Sequence, residues 1–263
     1  MSPHLILLDP DLYMNKMLTF LLEDGGYQVT TLSDPRLVGD FLKENTVDLI
    51  LLEVTLPHID GLALCATVRR EHPDIPVIFL SARGMVSDKI AGFEHGADDY
   101  VAKPFEPTEL IVRIQAVLRR YRRSERNLFG MIIKVGNMTL DLGQLQFSAP
   151  GRPAVLLTPT EMKILECLMR NANAFVSRET LIERTWGFDY DGETNRIEVY
   201  IRRLRTKIED DPNNPTYIRT MRRVGYVFKD GRHVARPPLR IFDAGGGGAQ
   251  GDLRVPGWSA IGD

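Results

Sequence analysis

Four residues have the types and spacing to do chemistry together: Asp9, Glu53, Ser81 and Lys103. Each follows a short apolar run. Residues 5–8 precede Asp9, 49–52 precede Glu53, 77–80 precede Ser81, and 100–102 precede Lys103-Pro104. Continuous apolar strands separated by helical stretches indicate a parallel sheet covered on both faces. In an open sheet of that kind, ligands bind outside the carboxyl ends of the strands. Two carboxylates, a hydroxyl and a lysine therefore converge on one crevice, where charge and hydrogen bonding would do the recognition. A solvated loop end accounts for any one of them alone, and accounts poorly for all four together. No hydrolase, kinase or redox constellation accompanies them.

The elements that must position this set fill the first half of the chain. With a weaker strand at residues 28–31, five βα units fit within residues 1–121, the pattern of a doubly wound, flavodoxin-like α/β domain. A length of 263 residues suggests about two domains. No apolar run approaches the ~18 residues that span a bilayer. The start, Met-Ser-Pro-His, has no basic segment before a long apolar stretch, so no signal peptide is expected. Cys65 and Cys167 sit in apolar helical patterns in different halves and read as reduced core thiols in the cytosol.

Charge divides the chain. Residues 1–121 carry 11 Lys/Arg and 18 Asp/Glu, whereas residues 122–230 carry 18 and 14. An acidic half joined to a basic half suggests that only the second meets a polyanion. Residues 122–130 read as a linker and 131–157 as short strands with Gly and Pro turns. Thr158-Pro159-Thr160-Glu161 is a capping box that opens an amphipathic helix. Ser177 caps a second helix, which ends at Gly187, and a third runs from about Thr194 to Ile208. In the third, Ile197, Ile201, Leu204 and Ile208 form one buried stripe. Arg196, Tyr200, Arg203 and Lys207 repeat the spacing one residue earlier, on a flank expected to be more exposed, and Arg202 and Arg205 broaden the cationic surface. A hairpin over residues 217–228 adds Arg219, Arg222 and Arg223. Helix plus basic hairpin is the arrangement of a winged helix-turn-helix. Residues 231–263 have no apolar periodicity and are expected to be disordered; Gly245–Gly248 is linker composition, with no strand before it and no helix after it.

Three stretches carry a resemblance: Leu-Leu-Glu-Val-Thr-Leu-Pro-His-Ile-Asp-Gly, Val-Ile-Phe-Leu-Ser-Ala, and Gly-Ala-Asp-Asp-Tyr-Val-Ala-Lys-Pro-Phe. They resemble the receiver domain of OmpR/PhoB-type response regulators, and with the second half the resemblance covers about residues 4–230. It implies that the position of Glu53 accepts a phosphoryl group on an aspartate, with Mg²⁺ held by an acidic pair after the first strand, by the acceptor and by the carbonyl of Thr55. It further implies that Lys103 contacts the phosphoryl oxygens, that Ser81 moves towards them and that Tyr100 swings inward. Two departures damage this chemistry. The acidic pair is Asp9-Pro10, with Asp11 one residue further on, and Mg²⁺ tolerates a missing ligand poorly. The acceptor is Glu53, one methylene longer, and a shift of ~1 Å costs on the order of 10²-fold in a positioned reaction. Ordinary aspartyl phosphorylation is expected to be absent, Mg²⁺ at Asp9 and Glu53 weak, and no cofactor is expected. Three readings of Glu53 stay open: a partial mimic of the phosphorylated state, a structural ion pair with Lys103, and a slow acceptor.

The resemblance also implies a two-fold dimer through pairs of Lys89 with Glu109, Asp99 with Arg113 and Asp98 with Arg120, where the plain alternative is a solvated charged surface. It likens residues 195–205 to the recognition helix and residues 222–226 to the wing. Arg203 is then the candidate for base contact and Arg222 for the minor groove. The loop from Trp186 to Glu193 would touch RNA polymerase, unless Trp186 is simply core. The expected protein is a cytoplasmic, dimeric, non-enzymatic regulator of promoter DNA, with a sensor histidine kinase as an undecided partner.

Overall fold

Leu5, Leu7, Leu49, Leu51, Ile78 and Leu80 point to one face of a parallel sheet, and Ile6, Leu8, Ile50, Leu52, Val77 and Phe79 to the other. Strands apolar at every position are buried on both sides, and both faces are covered by helices. In the computed structural model the first lobe comprises β1 (His4–Leu8), α1 (Leu12–Asp24), β2 (Gln28–Thr31), α2 (Val38–Glu44), β3 (Leu49–Leu52), α3 (Gly61–Glu71), β4 (Val77–Ser81), α4 (Val86–Glu94), β5 (Asp99–Ala102) and α5 (Pro107–Arg126). The strand order is β2-β1-β3-β4-β5, with every pairing parallel. The structure describes residues 2–126, 131–187 and 196–229, and for 122–126 the backbone only.

The second lobe opens with an antiparallel sheet, β6 (Ile132–Val135), β7 (Met138–Asp141), β8 (Gln146–Ser148) and β9 (Val155–Leu156). Then follow α6 (Pro159–Arg170), β10 (Phe175–Val176), α7 (Arg178–Trp186), α8 (Arg196–Ile208), β11 (Ile218–Met221) and β12 (Gly225–Phe228). Strands β10, β12 and β11 form a second small sheet. Thr158 and Glu161 close the expected capping box on α6, and Ser177 caps α7. The stripe of Ile197, Ile201, Leu204 and Ile208 is buried in one core with the apolar residues of α6, α7 and the wing strands. The hairpin turns at Arg223, whose φ is +65°.

Helix α5 continues to Arg126, so the first half of the expected 122–130 linker is helical. Residues 119–126 contain no Gly or Pro and are largely good helix formers, which gives the helix no reason to stop. The rest of that linker, residues 127–130, the inter-helix loop at 188–195 and the tail expected to be disordered at 231–263 lie outside the described residues. Among the described residues, no helix is long and apolar enough to cross a membrane. The described residues of the two lobes belong to one compact unit, so the lobes are joined by more than a tether.

Candidate functional site

The carboxyl ends of β1, β3, β4 and β5 bring Asp9, Glu53, Ser81 and Lys103 together. Glu53 is buried. One of its oxygens accepts from the Ser81 hydroxyl, from the Val54 amide at 2.8 Å and from the Thr55 amide at 3.3 Å. The other accepts from Lys103 Nζ at 2.8 Å. Lys103 also donates to Asp9, and although burial works against its charge, the hydrogen bonds to both carboxylates raise its pKa. The loop behind Glu53 closes because residue 61 is glycine: a Cβ there would lie 2.4 Å from the Glu53 carbonyl oxygen. Asp11 is taken up elsewhere. Its carboxylate caps α1 by accepting from the amides of Tyr13 and Met14. Among the described residues, no group of three or more His, Cys, Asp or Glu side chains is arranged to hold a metal ion.

Tyr100 lies inward. Its ring is buried beside Phe79, with centroids 5.8 Å apart, and its hydroxyl donates to the Arg83 carbonyl at 2.6 Å. Burial raises its pKa.

The second concentration of charge is the seam between the lobes, which corrects the expectation for the flank of α8. Arg196 and Tyr200 are buried and Arg203 is half-buried, because this flank packs on α4 and the start of β5. Arg196 lies 4.4 Å from the centre of the Phe93 ring and 3.4 Å from Asp99. The Tyr200 hydroxyl donates to the Ala97 carbonyl at 3.0 Å, Arg203 reaches the Phe93 carbonyl, and Arg202 pairs with Glu94. Val199, on the side of α8 opposite the core stripe, joins the apolar cluster of the first lobe. Helix α8 is thus buried on two faces.

The remaining basic residues divide. Arg202, Arg219, Arg222 and Arg223 are exposed. Arg205 does not broaden the surface. Its guanidinium donates to the Ile218 carbonyl at 2.8 and 3.0 Å and to the Thr220 hydroxyl at 2.7 Å, bracing β11 against α8. Lys207 donates to Glu161 at 2.7 Å, and Arg203 pairs with the same carboxylate at 2.9 Å. Glu161 is fully buried; burial alone would raise its pKa, but Arg203 and Lys207 outweigh it and hold it at about 2.

The residues expected to form the dimer face also make contacts within the chain. Asp99 pairs with Arg113 at 3.4 Å as well as with Arg196; burial would raise its pKa, and Arg196, Arg113 and Arg120 keep it below the ordinary value. Glu109 pairs with Arg113 at 2.8 Å, and Lys89 is half-buried on α4. Asp98 accepts from the Tyr121 hydroxyl at 2.8 Å, the Val77 amide at 3.1 Å and the Thr160 hydroxyl at 3.1 Å. Arg69 donates to Tyr121 at 2.7 Å. Arg120 is buried, and that burial with the nearby charge of Arg196 lowers its pKa. Trp186 is buried against Tyr200, with centroids 5.6 Å apart, and packs in the core of its lobe. The sequence alone does not reveal the seam contacts of Thr160, Arg69 and Tyr121 or the pairing of Glu161 with Arg203 and Lys207. The off-stripe Val199 was the available signal.

Residues 5–115 match the response regulator receiver domain, and residues 151–228 match the family described as transcriptional regulatory protein, C terminal. The sensory transduction protein RegX3 of Mycolicibacterium smegmatis is 38% identical over 214 residues, covering 81% of this chain and 92% of its own. The probable transcriptional regulator ycf27 of Galdieria sulphuraria is 38% identical over 230 residues, covering 86% and 89%. The solved structure of a cysteine-to-aspartate mutant of RitR superposes with a TM-score of 0.71 at 25% identity, covering 86% of this chain and 99% of that one. With a parallel receiver lobe, a winged-helix lobe and relatives that match both along their length, the chain belongs to the OmpR/PhoB-type response regulators, which bind DNA.

Proposed function

We propose that this chain regulates transcription through a receiver that needs neither aspartyl phosphate nor Mg²⁺. The observation that carries this reading is the occupancy of Glu53, whose carboxylate already holds the Ser81 hydroxyl, the Lys103 ammonium and two backbone amides. Those are the groups that an incoming phosphoryl group would need. The donors left for a divalent cation do not fit one: Asp9 and Glu53 share Lys103, Asp11 caps α1, and Pro10 offers no side-chain oxygen. Glu53 reads as a built-in partner of Ser81 and Lys103 rather than as an acceptor.

Promoter DNA is the partner of the second lobe. Arg202, Arg219, Arg222 and Arg223 would contact it first, with Arg196, Tyr200 and Arg203 available once α8 leaves the receiver. Lys89, Asp98, Asp99, Glu109, Arg113 and Arg120 would form a two-fold dimer face in that same open form, since α8 covers part of it when docked. The reading requires no kinase.

Sedimentation velocity with and without Mg²⁺ and beryllofluoride tests it. The profile should be unchanged by either addition. A monomer that dimerises only with the phosphate analogue would restore the conventional phospho-switch.

A further inference from the structure

A cleft of about 370 Å³ opens along the seam, between the end of α3 and the turn after α4 on the receiver side and β9 and α8 on the other. That volume lies within the range of small-molecule sites. The cleft shares no residue with the pocket of Glu53, Ser81 and Lys103. Its walls are of two kinds. Ala66, Pro73 and Leu156 give an apolar surface, whereas Arg70, Arg203 and Lys207 bring cationic groups. The charges do not balance locally. Arg203 and Lys207 share the one carboxylate of Glu161, at 2.9 and 2.7 Å, which leaves one positive charge in excess. Lys207 places a second donor on the Leu156 carbonyl at 3.1 Å, and an ammonium has three. Arg70 pairs with Glu71, its neighbour in sequence, in an exposed pair that contributes little and exchanges readily. Glu94, the acidic residue of the lining, pairs with Arg202. Arg69 lies deeper, and Asp98 already matches its charge.

One surplus charge and one recruitable guanidinium suit a dianionic phosphate monoester. His95, also in the lining, donates from Nδ1 to the Ala91 carbonyl at 2.8 Å, so its neutral ring keeps Nε2 as an acceptor. An acceptor nitrogen suits a hydroxyl, and the apolar wall suits a flat ring. We propose that this cleft is a binding site for a nucleoside monophosphate, with the phosphate on Arg70, Arg203 and Lys207, a sugar hydroxyl on His95, and the base against Ala66, Pro73 and Leu156. The site is incomplete in either lobe alone. Arg70 and His95 come from the receiver, and Leu156, Arg203 and Lys207 from the DNA-binding lobe. The inference is independent of what Glu53 does and of whether the chain binds DNA.

Isothermal titration of the full-length chain with adenosine monophosphate and with cytidine monophosphate tests this, beside adenosine and inorganic phosphate. At least one monophosphate should bind with a Kd on the order of 1 mM or tighter, and adenosine and phosphate about tenfold more weakly or worse. Arg70→Ser removes the receiver's cation. Leu156→Glu sets a carboxylate on the opposite wall, at a position 53% exposed, where the fold tolerates it. Each should weaken nucleotide binding about tenfold or more, with thermal melts confirming that both fold. Arg222→Ala, on the wing, should leave nucleotide binding unchanged. An equal loss in Arg222→Ala would put the phosphate on the DNA-binding surface and overturn the proposal. So would parent-like binding by Leu156→Glu, which would put the ligand on the receiver alone. Inorganic phosphate binding as tightly as the nucleotides would remove the role of the apolar wall and the nucleotide assignment with it. Absence of binding by both monophosphates sinks the proposal outright.

Discussion

The Thr160 hydroxyl donates to the Asp98 carboxylate across the seam at 3.1 Å, with both residues buried. This hydrogen bond ties α6 of the DNA-binding lobe to the residue before β5 of the receiver. Thr160→Val keeps the volume and removes the donor, while Asp98 retains Tyr121 and the Val77 amide. A hydrogen bond to a charged group contributes about 1.5–3 kcal/mol. If the docked form dominates, losing the bond raises the open fraction, and so the apparent DNA affinity, by about fivefold or more. Fluorescence anisotropy on a labelled duplex checks this, and an affinity equal to the parent's would show that the seam does not limit binding.

Glu161 gives the DNA-binding lobe a specific acid sensitivity. Its carboxyl stands at about 2 against an ordinary value of 4.5, because Arg203 and Lys207 outweigh the cost of burial. A folded-state value below the unfolded one means that the contribution is fully present above pH 4.5 and is lost as pH falls towards 2. Glu161→Gln keeps an oxygen for the Thr158 amide and discards the charge. Denaturant titrations of parent and variant should therefore differ by a few kcal/mol near neutrality, with the gap narrowing below about pH 4.5. A gap that stays constant into acid would place the coupling elsewhere.

The sequence made the receiver legible because its central strands, residues 5–8, 49–52 and 77–80, are continuous apolar runs separated by helical stretches, the pattern of a parallel sheet covered on both faces. Convergence of Asp9, Glu53, Ser81 and Lys103 followed from that topology, since strand ends on one edge of such a sheet must meet. The exposure of α8 was misjudged for a physical reason. The stripe of Ile197, Ile201, Leu204 and Ile208 identifies the face that packs in its own lobe, and the basic residues beside it look solvated by default. Periodicity within one lobe says nothing of a second lobe docking on the other side. Val199 breaks the pattern, and its burial with receiver residues is what makes the docking visible. Arg205 was misjudged similarly, because an arginine on a basic helix looks the same in sequence whether it faces solvent or braces a strand.

Gly92 sets the room available to Tyr100. A Cβ at position 92 would lie 2.8 Å from one Tyr100 ring carbon and 3.1 Å from a Phe79 ring carbon. Gly92→Ala gains helix propensity but overpacks this corner, with an expected net loss of about 1–3 kcal/mol in receiver stability. Adding Tyr100→Val should recover part of the loss by vacating the space, so a double-mutant cycle should show a favourable coupling of about 1 kcal/mol. Strict additivity would mean that the ring and the glycine do not contend for the same space.

Arg205 and Arg222 should separate under salt. Arg205 donates to the Ile218 carbonyl and the Thr220 hydroxyl, so its fork is engaged on the wing strand, and burial lowers its pKa. Arg222 is exposed at the wing turn. Removing a phosphate contact lowers the slope of log affinity against log salt by about 1, whereas removing a brace weakens binding without releasing fewer counterions. Arg222→Ala should therefore flatten the slope by about one unit, and Arg205→Ala should lower affinity with the slope unchanged. A flattened slope for Arg205→Ala would mean that its guanidinium leaves Ile218 for a phosphate when DNA binds. The angle between α8 and the wing would then be set by DNA rather than by the protein.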